Sequence, residues 1–188
     1  MSMTEIDKEE AEQHIIGLLH AMHIIGRPGM EDTPKRVVKM LEEVWQGEQY
    51  SNADIAEMYG KVFPCDTNDM VVVKDIEAFS YCEHHLALIY NMKISVAYLP
   101  EGHVIGLSKI ARIVDMCCKR LQLQERIGHD IVDVMTRIVG PNVAVRIEAN
   151  HSCMTARGIK KPSSKTVTLA KRGKFKEKEY MKQFLDML

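Results

Sequence analysis

The sequence predicts an α+β fold: an antiparallel sheet with helices packed on one face, preceded by an N-terminal helical segment. Three observations carry that prediction. Apolar residues recur at helical spacing in the first part of the chain and again from Ile110 to Ile138. Strand-like alternation appears before and after that second helical stretch, and a turn, Pro100-Glu101-Gly102, follows the first alternating run. Strands joined by tight turns pair antiparallel, so the order of helices, strand pair, two helices and strand pair excludes a parallel doubly wound sheet. With 188 residues and about 150 per domain, the chain holds one main domain, expected over residues 61–188, and a helical segment over residues 1–60.

The elements follow in order. Asp7 and Glu10 have capping-box spacing, and Ala11, Ile15, Leu18, Leu19 and Met22 form a helical stripe until Gly26 and Pro28 stop it. A second helix opens with Thr33 as N-cap and Pro34 behind it, carries Val37, Met40, Leu41, Val44 and Trp45 on one face, and stops at Gly47. From Tyr50 to Asp69 the pattern is mixed, a short helix and a loop. The period changes after Met70, and Leu88, Tyr90, Met92, Ile94, Val96 and Tyr98 alternate as in a long strand with one covered face. Two helices are expected from Ile110/Ile113/Val114/Cys117/Leu121 and Ile127/Ile131/Val134/Ile138. Alternation returns in Val143/Val145/Ile147 and Val167/Leu169.

Composition excludes several classes of function. Lys+Arg 25 against Asp+Glu 26 leaves a net charge of -1, which gives no reason to expect a nucleic acid or an anionic membrane as partner. No apolar run approaches the ~20 residues of a membrane span, and the acidic N-terminus MSMTEIDKEE is unlike a leader, so a cytoplasmic protein is expected. Five unevenly spaced cysteines fit metal-binding or buried thiols better than a disulfide framework. Vicinal Cys117-Cys118 lies in a helical apolar pattern and reads as two small buried hydrophobes.

Ligand-type side chains concentrate at Cys82-Glu83-His84-His85 and again at His151-Ser152-Cys153. Cys82 and His85 have a spacing that lets one turn place a thiolate and an imidazole on the same zinc ion, with Cys153 as third ligand. Three protein ligands leave one position open, the mark of catalytic zinc, whose bound water falls in pKa from ~15.7 to ~7. His84, pointing away from His85 in extended chain, and His151, two residues from Cys153, are then free to donate and accept protons. Structural zinc and a Cys82 thiol nucleophile are the alternatives these residues leave open.

Cations also sit at helix starts, where the dipole favours anions: Lys35, Arg36 and Lys39 on the second helix, Lys109 and Arg112 on the next. Free backbone N–H groups and cations together make a phosphate pocket. The alternative is a solvated face paired with carboxylates such as Glu31 and Asp32, with Ser108 an ordinary N-cap and Gln124-Glu125 ordinary first-turn residues. Residues alone thus point to a zinc hydrolase acting on a small phosphorylated molecule.

Asp32-Thr33-Pro34-Lys35-Arg36-Val37, Cys82-Glu83-His84-His85, Gly106-Leu107-Ser108-Lys109, Gln124-Glu125-Arg126, His151-Ser152-Cys153-Met154, Arg157-Gly158 and Thr166-Val167-Thr168 occur in one order, and in this the chain resembles GTP cyclohydrolase I. The resemblance implies a tunnelling fold (T-fold), a cytoplasmic homodecamer with active sites between subunits, and zinc held by Cys82, His85 and Cys153. It implies that GTP and water become 7,8-dihydroneopterin triphosphate and formate through attack at C8, the first step of tetrahydrofolate or other pterin biosynthesis. His84 and His151 would transfer protons, Ser108 would assist opening of the sugar, and Glu125, with Gln124 more weakly, would hold the guanine edge. Arg36, Lys39, Lys109, Arg112 and Arg157 would bind the triphosphate.

Two other readings belong beside it: a thiol-dependent enzyme of the same fold, such as a nitrile reductase, and a non-catalytic nucleotide-binding subunit with structural zinc. Many members of the resembled family read Leu-Leu-Pro-Phe after the second histidine, whereas this chain reads Leu86-Ala87-Leu88-Ile89 and lacks the proline-shaped start of the strand. No long extension precedes the first helix, so regulation through such a tail is not expected.

Overall fold

Asp7 accepts the Glu10 N–H at 2.9 Å and starts α1 (Lys8–Ala21), as the capping spacing predicts. The computed structural model describes residues 7–24 and 26–188. α1 buries none of its residues, and its principal neighbour is α2 (Thr33–Val44). Asp32, not Thr33, is the N-cap of α2, because the Thr33 N–H is already turned onto the Met30 carbonyl at 3.0 Å. The covered face runs through Pro34, Val38 and Val44, and Met40 is exposed. A 3₁₀ turn over Gln46–Gln49 follows, then α3 (Asn52–Tyr59), whose N-cap Ser51 and Asp54 form a full capping box.

β1 (Val62–Pro64) and β4 (His103–Ile105) make a small antiparallel pair. The main sheet contains β2 (Val71–Cys82), β3 (Ala87–Tyr98), β5 (Leu121–Gln122), β6 (Val143–His151) and β7 (Thr166–Arg172) in the order β5-β2-β3-β6-β7. All its pairs are antiparallel except the short β2–β5 contact. The tight connection inside this sheet is the loop from Cys82 to Ala87, whereas Pro100-Glu101-Gly102 leads out of β3 into β4.

α4 (Leu107–Cys118) and α5 (Gln124–Val139) lie on one face of the sheet, with α3 packed on both. Ile94, Val96, Val145 and Ile147 of the sheet meet Ile110, Ile113, Ile127 and Ile131 of the helices in one buried cluster, which also takes in Ile55 of α3. Burying each such side chain stabilises the fold by about 1.5–3 kcal/mol. The boundary at residue 60 thus separates α3 from the strands in sequence but not in the core.

Three strand details differ from the periodic pattern. Leu88 is exposed and Ile89 fully buried, because Asn91 at φ 49° and a register irregularity between Tyr90 and Lys93 shift the alternation by one residue. Leu121 belongs to β5 and not to the preceding helix, which ends at Cys118. In β7 the apolar Val167 and Leu169 face outward while Ala170 is buried.

At the other end of the sheet a second cluster, Ala97, Leu99, Ala144, Phe175, Met181 and Phe184, seats a C-terminal helix, α7 (Lys178–Asp186), that the apolar spacing had not revealed. Ala97 and Ala144 alternate with core residues Val96 and Val145, so this cluster occupies the opposite face. No described helix is long and apolar enough to cross a membrane.

Arg120 ties the N-terminal segment to this core. Its Nη1 reaches Asp130 and Asn52, both at 2.9 Å, its Nη2 donates to the Tyr50 carbonyl at 2.8 Å and its Nε to the Gly47 carbonyl at 3.1 Å. Gly47 is needed for that approach, since a Cβ there would lie 2.1 Å from the Met116 carbonyl oxygen. Removing one partner of a buried ion pair strands the other, at a cost of about 3–5 kcal/mol. Arg120→Ala is therefore expected to lose about 3 kcal/mol, read as a lower urea midpoint at fixed protomer concentration. An unchanged midpoint would contradict the clamp.

Candidate metal centre

Two peripheral segments meet because β3 pairs with β2 on one side and β6 on the other. Cys82 ends β2, opposite Ala87, and Ile89 of β3 lies opposite His151 at the end of β6. Beyond His151 the chain turns through a short helix, α6 (Ser152–Thr155), which sets Cys153 beside the loop. Its contacts to β3 are specific: Ser152 Oγ donates to the Leu88 carbonyl at 2.7 Å, and Tyr90 Oη lies 2.9 Å from Thr155 Oγ1. The Leu88 carbonyl thus anchors α6 although no proline shapes the strand start.

The ligand atoms of Cys82, His85 and Cys153 lie within 4.8 Å of one another. A tetrahedral ion with bonds of about 2.3 Å to sulfur and about 2.0 Å to nitrogen needs its donors roughly 3.5–3.8 Å apart. About an ångström of side-chain adjustment closes that gap, so the trio fits zinc in spacing and in donor chemistry. Cys82 is buried, Cys153 half-buried and His85 exposed, which leaves the site open on the imidazole side. His84 stays outside the trio, its ring 6.2 Å from that of His85 and nearly perpendicular to it.

The loop is held from β5 and α5. The Glu83 N–H donates to the Gln122 carbonyl at 3.3 Å. Arg126 grips the Glu83 carboxylate through Nη1 at 2.6 Å and Nη2 at 3.4 Å, and Glu83 raises the Arg126 pKa in turn. Nothing in the spacing of Glu83 and Arg126 announces this pair, because it depends on β5 bringing the start of α5 beside the end of β2.

His151 is half-buried, and its Nε2 lies 2.8 Å from Gln124 Oε1. Burial pushes its pKa down, and the nearby Glu125 charge partly opposes that. Glu125 sits in the first turn of α5, where the helix dipole favours a carboxylate, and its side chain is exposed. Gln124 is 1% exposed and donates to the Ile147 and Thr166 carbonyls.

Ser108 is not the N-cap of α4: Gly106 is, so the Ser108 hydroxyl is left exposed one residue inside the helix. Arg112 of α4 and Arg157 in the loop after α6 are exposed, and Lys109 is half-buried. On α2, Arg36 faces Asp32 at 3.4 Å and Lys39 is exposed. Among the described residues, Lys39, Lys109, Arg112 and Arg157 enter no salt bridge. α2 packs chiefly on α1 and the Gln46–Gln49 turn, so these contacts do not bring Arg36 and Lys39 to the metal loop of the same chain. A cleft of about 700 Å³ between Phe79, Leu88, Lys93, Glu148 and Lys165 does not include the trio.

The family model described as GTP cyclohydrolase I matches residues 11–188. A GTP cyclohydrolase 1 of Clostridium botulinum (strain Loch Maree / Type A3) is 53% identical over 97% of this chain and 97% of its own. The GTP cyclohydrolase 1 of Clostridium acetobutylicum is 53% identical over 91% of both chains, and that of Ruminiclostridium cellulolyticum 51% over 97% of this chain and 98% of its own. A solved structure titled as the archaeosine synthase QueF-Like in the apo form covers 57% of this chain and 97% of its own at 21% identity and a TM-score of 0.47.

Loss of a true ligand should weaken zinc binding by more than the ~10- to 100-fold that an outer-shell change costs. Cys153→Ala and His85→Ala are expected to do so by metal titration, and zinc retention by both would reject the trio. In the folded wild type, chelation should open Cys153 to alkylation, whereas Cys117 and Cys118 stay inert. Burial pushes the Cys117 thiol up to about 12 and the Cys118 thiol well above its ordinary value.

Proposed function

The chain belongs to the GTP cyclohydrolase I family, and on that premise we propose how its residues carry out the family's reaction, the conversion of GTP and water to 7,8-dihydroneopterin triphosphate and formate. The observation that carries the assignment of roles is the convergence of Cys82, His85 and Cys153 from two distant segments. These residues would hold zinc, which when bound would supply a water acidified from ~15.7 towards ~7 for addition at C8 of the purine.

The rest is done by side chains around the trio. C8 leaves as formate only after its bonds to both imidazole nitrogens break, and each departing nitrogen needs a proton. His84, exposed beside the loop, and His151, half-buried and held by Gln124, supply and recover those protons. Ser108 assists opening of the ribose, whose carbons then close the pterin ring. The Glu125 carboxylate accepts the adjacent N–H donors of the guanine edge. Arg36, Lys39, Lys109, Arg112 and Arg157 bind the triphosphate, and the absence of salt bridges at the last four among the described residues supports that role.

Residues 61–188 form the catalytic unit and residues 1–60 the helical segment before it, working in the cytoplasm. The reading includes a homodecamer with active sites between subunits. Two features support assembly. His84, His85, Ser108, Glu125, Arg112 and Arg157 are all exposed in a single chain, although the chemistry needs water excluded. Val167, Leu169 and Phe79 also expose apolar surface on the sheet.

Incubation of the zinc-loaded protein with GTP should release formate and yield a fluorescent pterin after oxidation. His84→Ala should slow this by ~10²- to 10⁴-fold with fold and zinc content intact. An unimpaired His84→Ala variant would instead favour a site in which zinc is structural.

A further inference from the structure

Among the described residues Gln124 Oε1 has one partner, and the surroundings of the amide fix which end of the bond carries the proton. Nε2 of Gln124 lies 3.2 Å from the Ile147 carbonyl oxygen, 3.1 Å from that of Thr166 and 3.2 Å from Thr168 Oγ1. Both carbonyls only accept. A reversed amide would turn Oε1 towards their lone pairs in a site where Gln124 is 1% exposed, leaving buried acceptors unpaired. Oε1 therefore faces His151 Nε2 at 2.8 Å. An amide oxygen has no hydrogen to give, so the ring nitrogen must donate.

We infer that Gln124 is a positioning residue that holds His151 in its Nε2–H tautomer and makes Nδ1 the nitrogen that accepts and returns a proton during the reaction. This rests on the reading of His151 as a proton-transfer group. The proton balance is simple: Nδ1 takes a proton through its lone pair, the imidazolium keeps its Nε2–H on Gln124 Oε1, and the proton leaves again from Nδ1. Gln124 itself never gains or loses one.

The amide is well placed for this work. As first residue of α5 it hydrogen-bonds to β6 through Ile147 and to β7 through Thr166 and Thr168, so three elements fix its orientation. A neutral imidazole left without such a partner distributes its proton between both nitrogens, and part of the population would then present a donor where the reaction needs a base. The sequence placed Gln124 next to the base-binding Glu125. The fold turns it inward, so it acts on the substrate through His151.

The test uses the zinc-loaded, ¹⁵N-histidine-labelled protein without substrate, at a pH where imidazole is neutral. His151 is identified by the signals lost in His151→Asn. The expected ¹⁵N spectrum shows Nε2 protonated and Nδ1 bare; a protonated Nδ1, or an even mixture, overturns the inference whatever any Gln124 variant does. In Gln124→Met the tautomers should mix and kcat should fall by about 10²- to 10⁴-fold, as when a catalytic histidine loses its orienting partner. KM for GTP should stay within about threefold and zinc content unchanged. A raised KM with unchanged kcat would mark Gln124 as a substrate contact and overturn the positioning role. Failure of the wild type to convert GTP would overturn both this inference and the function it rests on, whereas a wrong tautomer in an active wild type would sink this inference alone.

Discussion

The site depends on the register of β3, paired on both edges. Cys82 sits opposite Ala87 on one side and Ile89 opposite His151 on the other. A slip of one residue on either edge would reverse the facing of a whole strand and draw the two cysteines apart. The irregularity at Asn91 belongs to that constraint. With φ at 49° and its side-chain amide donating to Asn150 Oδ1 at 3.3 Å, it lets Ile89 turn inward beside the metal loop while Met92, Ile94 and Val96 still reach the core.

Helix α5 supplies the second half of the arrangement. Its inner face, with Ile127, Ile131 and Val134, is locked in the core, so its first turn stands at a fixed place beside the end of β2. Three consecutive residues there do different things. Gln124 turns in to His151, Glu125 is exposed as a carboxylate, and Arg126 clasps Glu83 of the metal loop. A helix start is suited to this because successive side chains leave it about 100° apart. Packing energy from the helix thus becomes positional accuracy at the loop.

What was legible in the sequence is what depends on neighbours in the chain. The N-cap at Asp7, the start of α5 at Gln124, the C-x-x-H turn and the buried Cys117-Cys118 pair all follow from local spacing. The convergence of Cys82 and His85 with Cys153 was proposed from ligand chemistry and is met by the geometry. Period-two alternation, however, does not say which face is inside. It could not register the shift at Asn91 or the outward turn of Val167 and Leu169. Helix α7 was missed because Phe175, Met181 and Phe184 pack on a patch of sheet opposite the main core. The inward turn of Gln124 was not legible, because only the tertiary fold brings the carbonyls of Ile147 and Thr166 around it.

The most direct measurement of the account is anomalous diffraction at the zinc absorption edge from crystals of the purified protein. A single strong peak per protomer is expected, about 2.3 Å from Cys82 Sγ and Cys153 Sγ and about 2.0 Å from a ring nitrogen of His85. The fourth position should be free of any protein side chain. No peak there, or a fourth side chain closing the coordination, would contradict a catalytic centre built by the register of β3.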